Sequence, residues 1–275
     1  MTLIALQSHA LGHVADFGAK FGRFWRVVYA VMLQDMRTRF AGGGYLGFLV
    51  AVGWPLAHLV FLVVLRALAT VIAPVGDSPA IFYGTGILPY ILCFYPGRMM
   101  NIVMIQNRAM LGLPEISPMN LVIARALLEI LIALMVTLIF FAGAALYGID
   151  FMPNDPILAA QAIAVAIYLG IGIGVFNALF GTLMGQFYQV VYILVMVGLL
   201  TTSGAYFPLV YAPDRIKRLL EWNPLYHVVN WLRSAYYMDN TMIDVDRLYL
   251  IGVASMFLLL GLLGERLLRG KLLSL

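Results

Sequence analysis

Six apolar runs organise the chain: residues 45–73, 80–103, 121–147, 157–180, 188–205 and 248–263. Each is near the length of about 20 residues that carries a helix across a bilayer. The first is longer than a bilayer requires and contains Trp54-Pro55, where proline removes a backbone donor and offers a kink. Breaks at Pro74-Val75-Gly76-Asp77, Leu113-Pro114-Glu115 and Met152-Pro153-Asn154-Asp155-Pro156 separate most of the runs, and the fourth and fifth meet in a short turn near residues 181–187. Ahead of the first run, Phe17, Phe21, Phe24, Val28, Met32, Met36 and Phe40 recur at three- and four-residue steps, with Arg23, Arg26, Gln34 and Arg37 between them. This pattern predicts an amphipathic helix with a basic face, lying in a membrane interface. The expected fold is an all-α integral membrane protein. Residues 1–43 form an arm with the interfacial helix, and residues 44–275 form a domain of six transmembrane helices.

Composition and charge give the pattern a direction. The chain is 63% hydrophobic and only 11% charged, with a mean hydropathy of +0.95. Soluble domains carry about 25% charged residues, so lipid is the solvent for most of this one. The net charge of +4 fits the cationic cytoplasmic segments of a membrane protein and gives no reason to invoke nucleic acid. Six spans place both termini in the cytoplasm, beside Lys20, Arg23, Arg26, Arg37, Arg39, Arg108, Arg266, Arg269 and Lys271. The outer loops then carry Asp77, Asp150, Asp155, Asp239, Asp244 and Asp246, with Arg215, Lys217 and Arg218 as the exception. The single cysteine, Cys93, excludes an intrachain disulfide. Residues 1–40 read as a charged amphipathic stretch, unlike a cleavable leader.

The connection over residues 206–246 opens with Tyr206-Phe207-Pro208, breaks at Trp222-Asn223-Pro224 and carries Tyr226, Trp231, Tyr236 and Tyr237. This aromatic content suits the headgroup level and predicts a re-entrant segment between helices five and six; an ordinary outer loop is the simpler alternative.

The chemistry available is limited. Lys20, Lys217 and Lys271 are the only lysines, and none sits in a GxxxxGK[ST] loop, so the chain carries no phosphate loop of its own. There is no HExxH and no GxSxG, which leaves an intramembrane hydrolase without machinery. His9, His13 and Asp16 have metal-ligand spacing but lie in the arm, and no metal site is expected. On the second span Tyr83, Tyr90, Phe94, Arg98 and Asn101 share one helical face. An arginine inside a span costs roughly 2.5–3.5 kcal/mol unless it meets partners or water, so this face is the candidate lining of a substrate channel. Aromatic rings there suit the C–H faces of sugars and Arg98 suits carboxylates or phosphates; packing between subunits is the alternative. Trp54, Tyr192, Trp231 and Arg233 are the further channel candidates. Arg125 and Glu129, four apart, neutralise each other as a structural anchor or as part of a proton relay, but the spans supply no further acid to extend a relay. Arg66 is expected to snorkel to headgroups, and the GxxxG spacings among Gly170, Gly174, Gly181 and Gly185 predict close helix approach.

Three blocks carry a family resemblance: Asp35-Met36-Arg37-Thr38-Arg39-Phe40 with Leu46-Gly47-Phe48-Leu49 and Pro55-Leu56-Ala57-His58-Leu59; Ser117-Pro118-Met119-Asn120-Leu121-Val122-Ile123-Ala124-Arg125-Ala126-Leu127-Leu128-Glu129; and Trp222-Asn223-Pro224-Leu225-Tyr226-His227-Val228-Val229, with Phe207-Pro208 upstream. In this order and spacing they resemble the permease subunit of capsular polysaccharide export ABC transporters, the KpsM-type branch of the type-2 ABC exporters. Trp54 stands where relatives commonly carry an acid and Val50 where they carry an aromatic, so no role of that carboxylate transfers.

The resemblance implies a homodimer in the bacterial inner membrane with two cytosolic ATPase subunits that bind ATP and Mg, this chain holding no cofactor. It also implies a lipid-linked acidic polysaccharide as cargo, and periplasmic and outer-membrane capsule export proteins as further partners. It makes residues 106–120 a coupling loop onto the ATPase, with Arg37, Arg39, Arg108, Pro114, Glu115, Ser117 and Pro118 as coupling residues. The same machine exporting O-antigen or teichoic acid is an alternative, as is a channel or secondary transporter that needs no ATPase.

Overall fold

The computed structural model describes residues 20–37, 45–70, 72–208, 213–237 and 245–274. Among these the chain is helical throughout, without a strand. In order the helices are α1 (20–37), α2 (Tyr45–Ala69), α3 (Pro79–Asn101), α4 (Val103–Gln106), α5 (Arg108–Leu111), α6 (Pro118–Leu146), α7 (Pro156–Met184), α8 (Gln186–Thr201), α9 (Asp214–Leu220), α10 (Pro224–Tyr236) and α11 (Arg247–Ser274).

Four helix starts share one local signal, a polar cap followed at once by proline. Ser78, Ser117, Asp155 and Asn223 each accept a hydrogen bond from a backbone N–H of the first turn, and Pro79, Pro118, Pro156 and Pro224 follow them. Proline lacks an N–H at the position where a helix has no partner for one, so its fixed φ favours the start without loss. At Ser117 the cap is reciprocal, because Asn120 Oδ1 accepts from the Ser117 backbone N–H at 2.9 Å.

Five helical stretches are long and apolar enough to cross a membrane: Leu49–Ala69, Pro79–Asn101, Pro118–Leu146, Pro156–Met184 and Arg247–Leu272. The fifth predicted span, 188–205, is realised as α8, which is apolar but only 16 residues long. At 1.5 Å per residue it rises about 24 Å, short of the roughly 30 Å hydrocarbon core. It stops early because residues 202–207 form tight turns around Gly204, whose φ of +79° favours glycine. The start of α8 is equally abrupt: Gly185, at φ +65°, reverses the chain between α7 and α8.

The least apolar long helix, α3, is the central one. Of its apolar stretch 94% is buried, against 22% for those of α2 and α11. α7 packs along both α3 and α11, and glycine sets these approaches: a Cβ on Gly170 would strike the Leu92 carbonyl, and one on Gly172 would lie 2.5 Å from that of Ala254. At one end of the bundle, here the near end, α1, α4, the starts of α6 and the ends of α3, α7 and α11 share a second apolar cluster through Val28, Val31, Met100, Val103, Leu121, Leu179 and Leu272. The far end holds the loops 72–78 and 147–155 and the α9–α10 connection.

α1 is helical and keeps most of the expected stripe: Val28 is buried and Phe24, Met32 and Met36 are half-buried, while Phe21 is exposed. Val31 and Asp35 are buried beside it. Phe17 and Phe40 lie outside the described residues, as do His9, His13 and Asp16. The 206–246 connection resolves into α9, which exposes most of its side chains, and α10, which is buried along nearly its whole length against α3, α7 and α11.

Candidate functional site

Two of the sequence blocks meet at the near end. Arg125, fully buried on α6, donates from Nε to Glu129 Oε1 at 2.7 Å and from Nη1 to Asp35 Oδ2 of α1 at 2.8 Å. The self-neutralising pair read from the sequence is thus a triad that reaches across to α1. Asp35 was missed as its partner, although its place in the apolar stripe of α1, seven residues after Val28, marks it as inward-facing.

Between α3 and α6 the chain runs through α4 and α5 and a turn to Ser117. Arg108, Pro114 and Glu115 are exposed here, Ser117 caps α6, and Pro118 is buried. This segment and α1 form the two walls of a cleft of about 480 Å³, with Val27, Val31 and Gln34 on one side and Met110, Pro114 and Glu115 on the other. Arg37 is exposed on α1, and Arg39 lies outside the described residues. Of the coupling candidates, Pro114 and Glu115 line this cleft, while Arg37, Arg108, Ser117 and Pro118 lie on the same two segments without lining it.

The aromatic candidates of α3 gather with residues from its two flanking helices. Phe94 stacks on Tyr90 at 5.2 Å and on Tyr192 of α8 at 5.9 Å between ring centroids. Tyr192 donates its hydroxyl to the Phe94 carbonyl at 2.9 Å. His58 of α2 meets Tyr90, Phe94 and Tyr95 edge-on, and its Nδ1 lies 3.1 Å from Tyr95 Oη. His58 and Tyr95 were not among the sequence candidates; Tyr95 falls off the face that was chosen. Arg98, half-buried, stands within electrostatic reach of His58, Tyr90, Tyr95 and Tyr192. Asn101, at the foot of the face, is buried against Gly181. Beside this cluster a groove of about 400 Å³ runs between α2, α3 and α6, lined by Val50, Trp54, Tyr95, Met99 and Glu129. Trp54 is mostly exposed on it.

The other candidates stand apart. Arg233 of α10 is buried at the far end, donating to the carbonyls of Gly204 at 2.7 Å, Ala205 at 2.8 Å and Phe82 at 3.3 Å, with its guanidinium 3.9 Å over the Phe82 ring. Phe82 and Arg98 are sixteen residues apart on α3, about 24 Å. Tyr83 Oη pairs with Thr70 Oγ1 at 2.8 Å, and Trp231 lies under Arg247 at 4.7 Å. Arg66, expected among headgroups, lies 4.1 Å over the Tyr206 ring.

A family profile described as ABC-2 type transporter matches residues 109–237, from α5 through α10. Two proteins of Escherichia coli, both named Polysialic acid transport protein KpsM, are each 28% identical to this chain over 235 residues, covering 86% of it and 90% of the relative. By its apolar helical bundle and these matches the chain is similar to membrane subunits of ABC-2 type transporters. The KpsM similarity runs over most of the chain, including residues of all three blocks that carried the resemblance.

Proposed function

We propose that this chain is the membrane-spanning subunit of an ATP-driven exporter that moves a lipid-linked, acidic capsular polysaccharide across a bacterial inner membrane. The observation that carries the reading is the similarity over 86% of the chain to transporters named for polysialic acid, an anionic sugar polymer. Two copies pair with two cytosolic ATPase subunits, which bind ATP and Mg and perform the hydrolysis; periplasmic and outer-membrane export proteins continue the path. The near end, with α1 and both termini, faces the cytoplasm. α1 lies in the interface there, α8 completes a sixth crossing together with the turns after Thr201, and α10 is the re-entrant segment.

ATPase closure is received by residues 106–120 and by Arg37 and Arg39 of the α1 side. The exposed Arg108 and Glu115 supply charge for docking, and Pro114, Ser117 and Pro118 stiffen the lever into α6. The polymer path runs along the α3 face. Arg98 meets anionic groups, and Tyr90, Phe94 and Tyr192 offer ring faces once α2 and α8, which both pack on α3 and scarcely on each other, draw apart. Trp54, Tyr83, Asn101, Trp231 and Arg233 border the same route from groove to far end.

Gentle extraction of the tagged chain from its native membrane tests the reading. A stoichiometric ATPase with a phosphate loop is the expected companion. Recovery of the folded chain alone after cross-linking would favour a channel or secondary transporter. Within the complex, Arg98→Ala should lower export while assembly and ATP hydrolysis persist, and Glu115→Arg should leave hydrolysis running without export.

A further inference from the structure

The basic cluster Arg215, Lys217 and Arg218 is the exception in the charge pattern, and the fold gives it a definite place. α8 ends after about 24 Å, and the junction of α9 with α10 is tied to that end. Asn223 Nδ2 donates to the Leu199 carbonyl at 2.7 Å and to Thr202 Oγ1 at 2.9 Å, while the Trp222 carbonyl accepts from Tyr249 Oη, at 2.6 Å, in the first turn of α11. α9 therefore sits where α8 ends and α11 begins, on the far-end side of the apolar bundle. Its surface is amphipathic. Ile216 is 48% exposed, Leu219 72% and Trp222 76%, and Arg215 and Arg218, one turn apart and both exposed, lie between and beside them. Neither arginine makes an ion pair among the described residues, whereas Lys217 faces Asp214 at 4.0 Å.

We propose that α9 is a docking surface for anionic phospholipid headgroups of the far-end leaflet, with Arg215 and Arg218 holding phosphate oxygens while Ile216, Leu219 and Trp222 enter the acyl region. An acidic polymer leaving the complex could meet the same arginines, but it gives no reason for three large apolar side chains to stand exposed beside them. Lipid accounts for both. The cluster breaks the usual sidedness of positive charge because it binds a surface and does not set topology.

The test uses the full chain with Leu219→Cys. The native Cys93 is fully buried, so a fluorophore labels position 219 alone. In vesicles of phosphatidylcholine with a minority of phosphatidylglycerol, quenching by lipid spin-labelled high on the acyl chain is compared for the two headgroups. Labelled phosphatidylglycerol should quench roughly threefold more than labelled phosphatidylcholine, and the excess should vanish with Arg215→Gln/Arg218→Gln or at about 0.5 M salt. Equal quenching by both lipids overturns the proposal. So does the absence of quenching by either, with or without quenching by a water-soluble acidic oligosaccharide carrying the same label, since α9 then faces water. Should the labelled protein not reconstitute, native mass spectrometry of the unlabelled chain decides: the double variant should retain less phosphatidylglycerol than wild type, and an unchanged count overturns the proposal.

Discussion

Two buried arginines hold opposite ends of the bundle by different means. At the near end Arg125 is neutralised by two side-chain carboxylates, one on its own helix and one on α1. At the far end Arg233 donates to backbone carbonyls of the turn after α8 and of α3, and covers an aromatic ring. Carbonyls are fixed by the backbone, so the far-end contact clamps α10 in place and would be lost only with the turn itself. The carboxylates of the near end sit on side chains of separate helices, so α1 and α6 can exchange partners without unfolding either. The difference matches the work proposed for each end: motion enters at α1 and the segment before α6, and the far end holds its helices in register.

The largest expected effect is that of Arg125→Ala. It leaves two carboxylates buried without their counter-charge, which costs about 3–5 kcal/mol, and it should lower the midpoint of detergent-induced unfolding accordingly. A midpoint unchanged from wild type would show that the carboxylates find other partners and that the triad is not the tie between α1 and α6. Next is Arg233→Lys, which keeps the charge but loses the planar fork. It cannot serve three carbonyls and the Phe82 face together, so a loss of about 2 kcal/mol is expected in the same titration. If Arg233→Lys proves costlier than Arg125→Ala, the ranking of the two ends is reversed. Gly181→Ala comes third. A Cβ there overlaps the buried Asn101 at the junction of α3 and α7, and overpacking of this kind costs about 1–3 kcal/mol.

How much of this was legible depends on the side of the helix concerned. The apolar runs locate α2, α3, α6, α7, α8 and α11 because each run must keep its backbone groups satisfied within itself in lipid. Which way each helix faces was harder to read, since a lipid-facing side is as apolar as a protein-facing one. Leu49, Phe61 and Leu68 of α2 are as hydrophobic as anything in the core and are exposed, whereas Tyr90 and Phe94 of α3 are buried. Glycine gave the more direct signal, as Gly170, Gly174 and Gly181 lie at close approaches to α3. The early end of α8 was missed because Ala205 resumes the apolar run past Thr202, Ser203 and Gly204, which break it. The carbonyls from two distant segments that meet Arg233 were not legible, because its spacing gave no hint of them.

The smallest effect on stability, and the sharpest division between the two ends, is expected when the triad is replaced as a whole. Asp35→Leu/Arg125→Met/Glu129→Leu removes all three charges at once and fills the site with apolar atoms of similar volume. No carboxylate is then left buried without a counter-charge, so stability should remain within about 1 kcal/mol of wild type, far from the loss expected for Arg125→Ala alone. Export should nevertheless fall, because an apolar contact between α1 and α6 has no second set of partners to exchange with, while hydrolysis by the partner ATPase continues. Retained export in this variant would reduce the triad to a packing element and place the moving joint elsewhere, in the cleft between α1 and residues 110–116. A stability loss as large as that of Arg125→Ala would instead mean that the site is shaped around its charges, and that the near end is clamped as firmly as the far one.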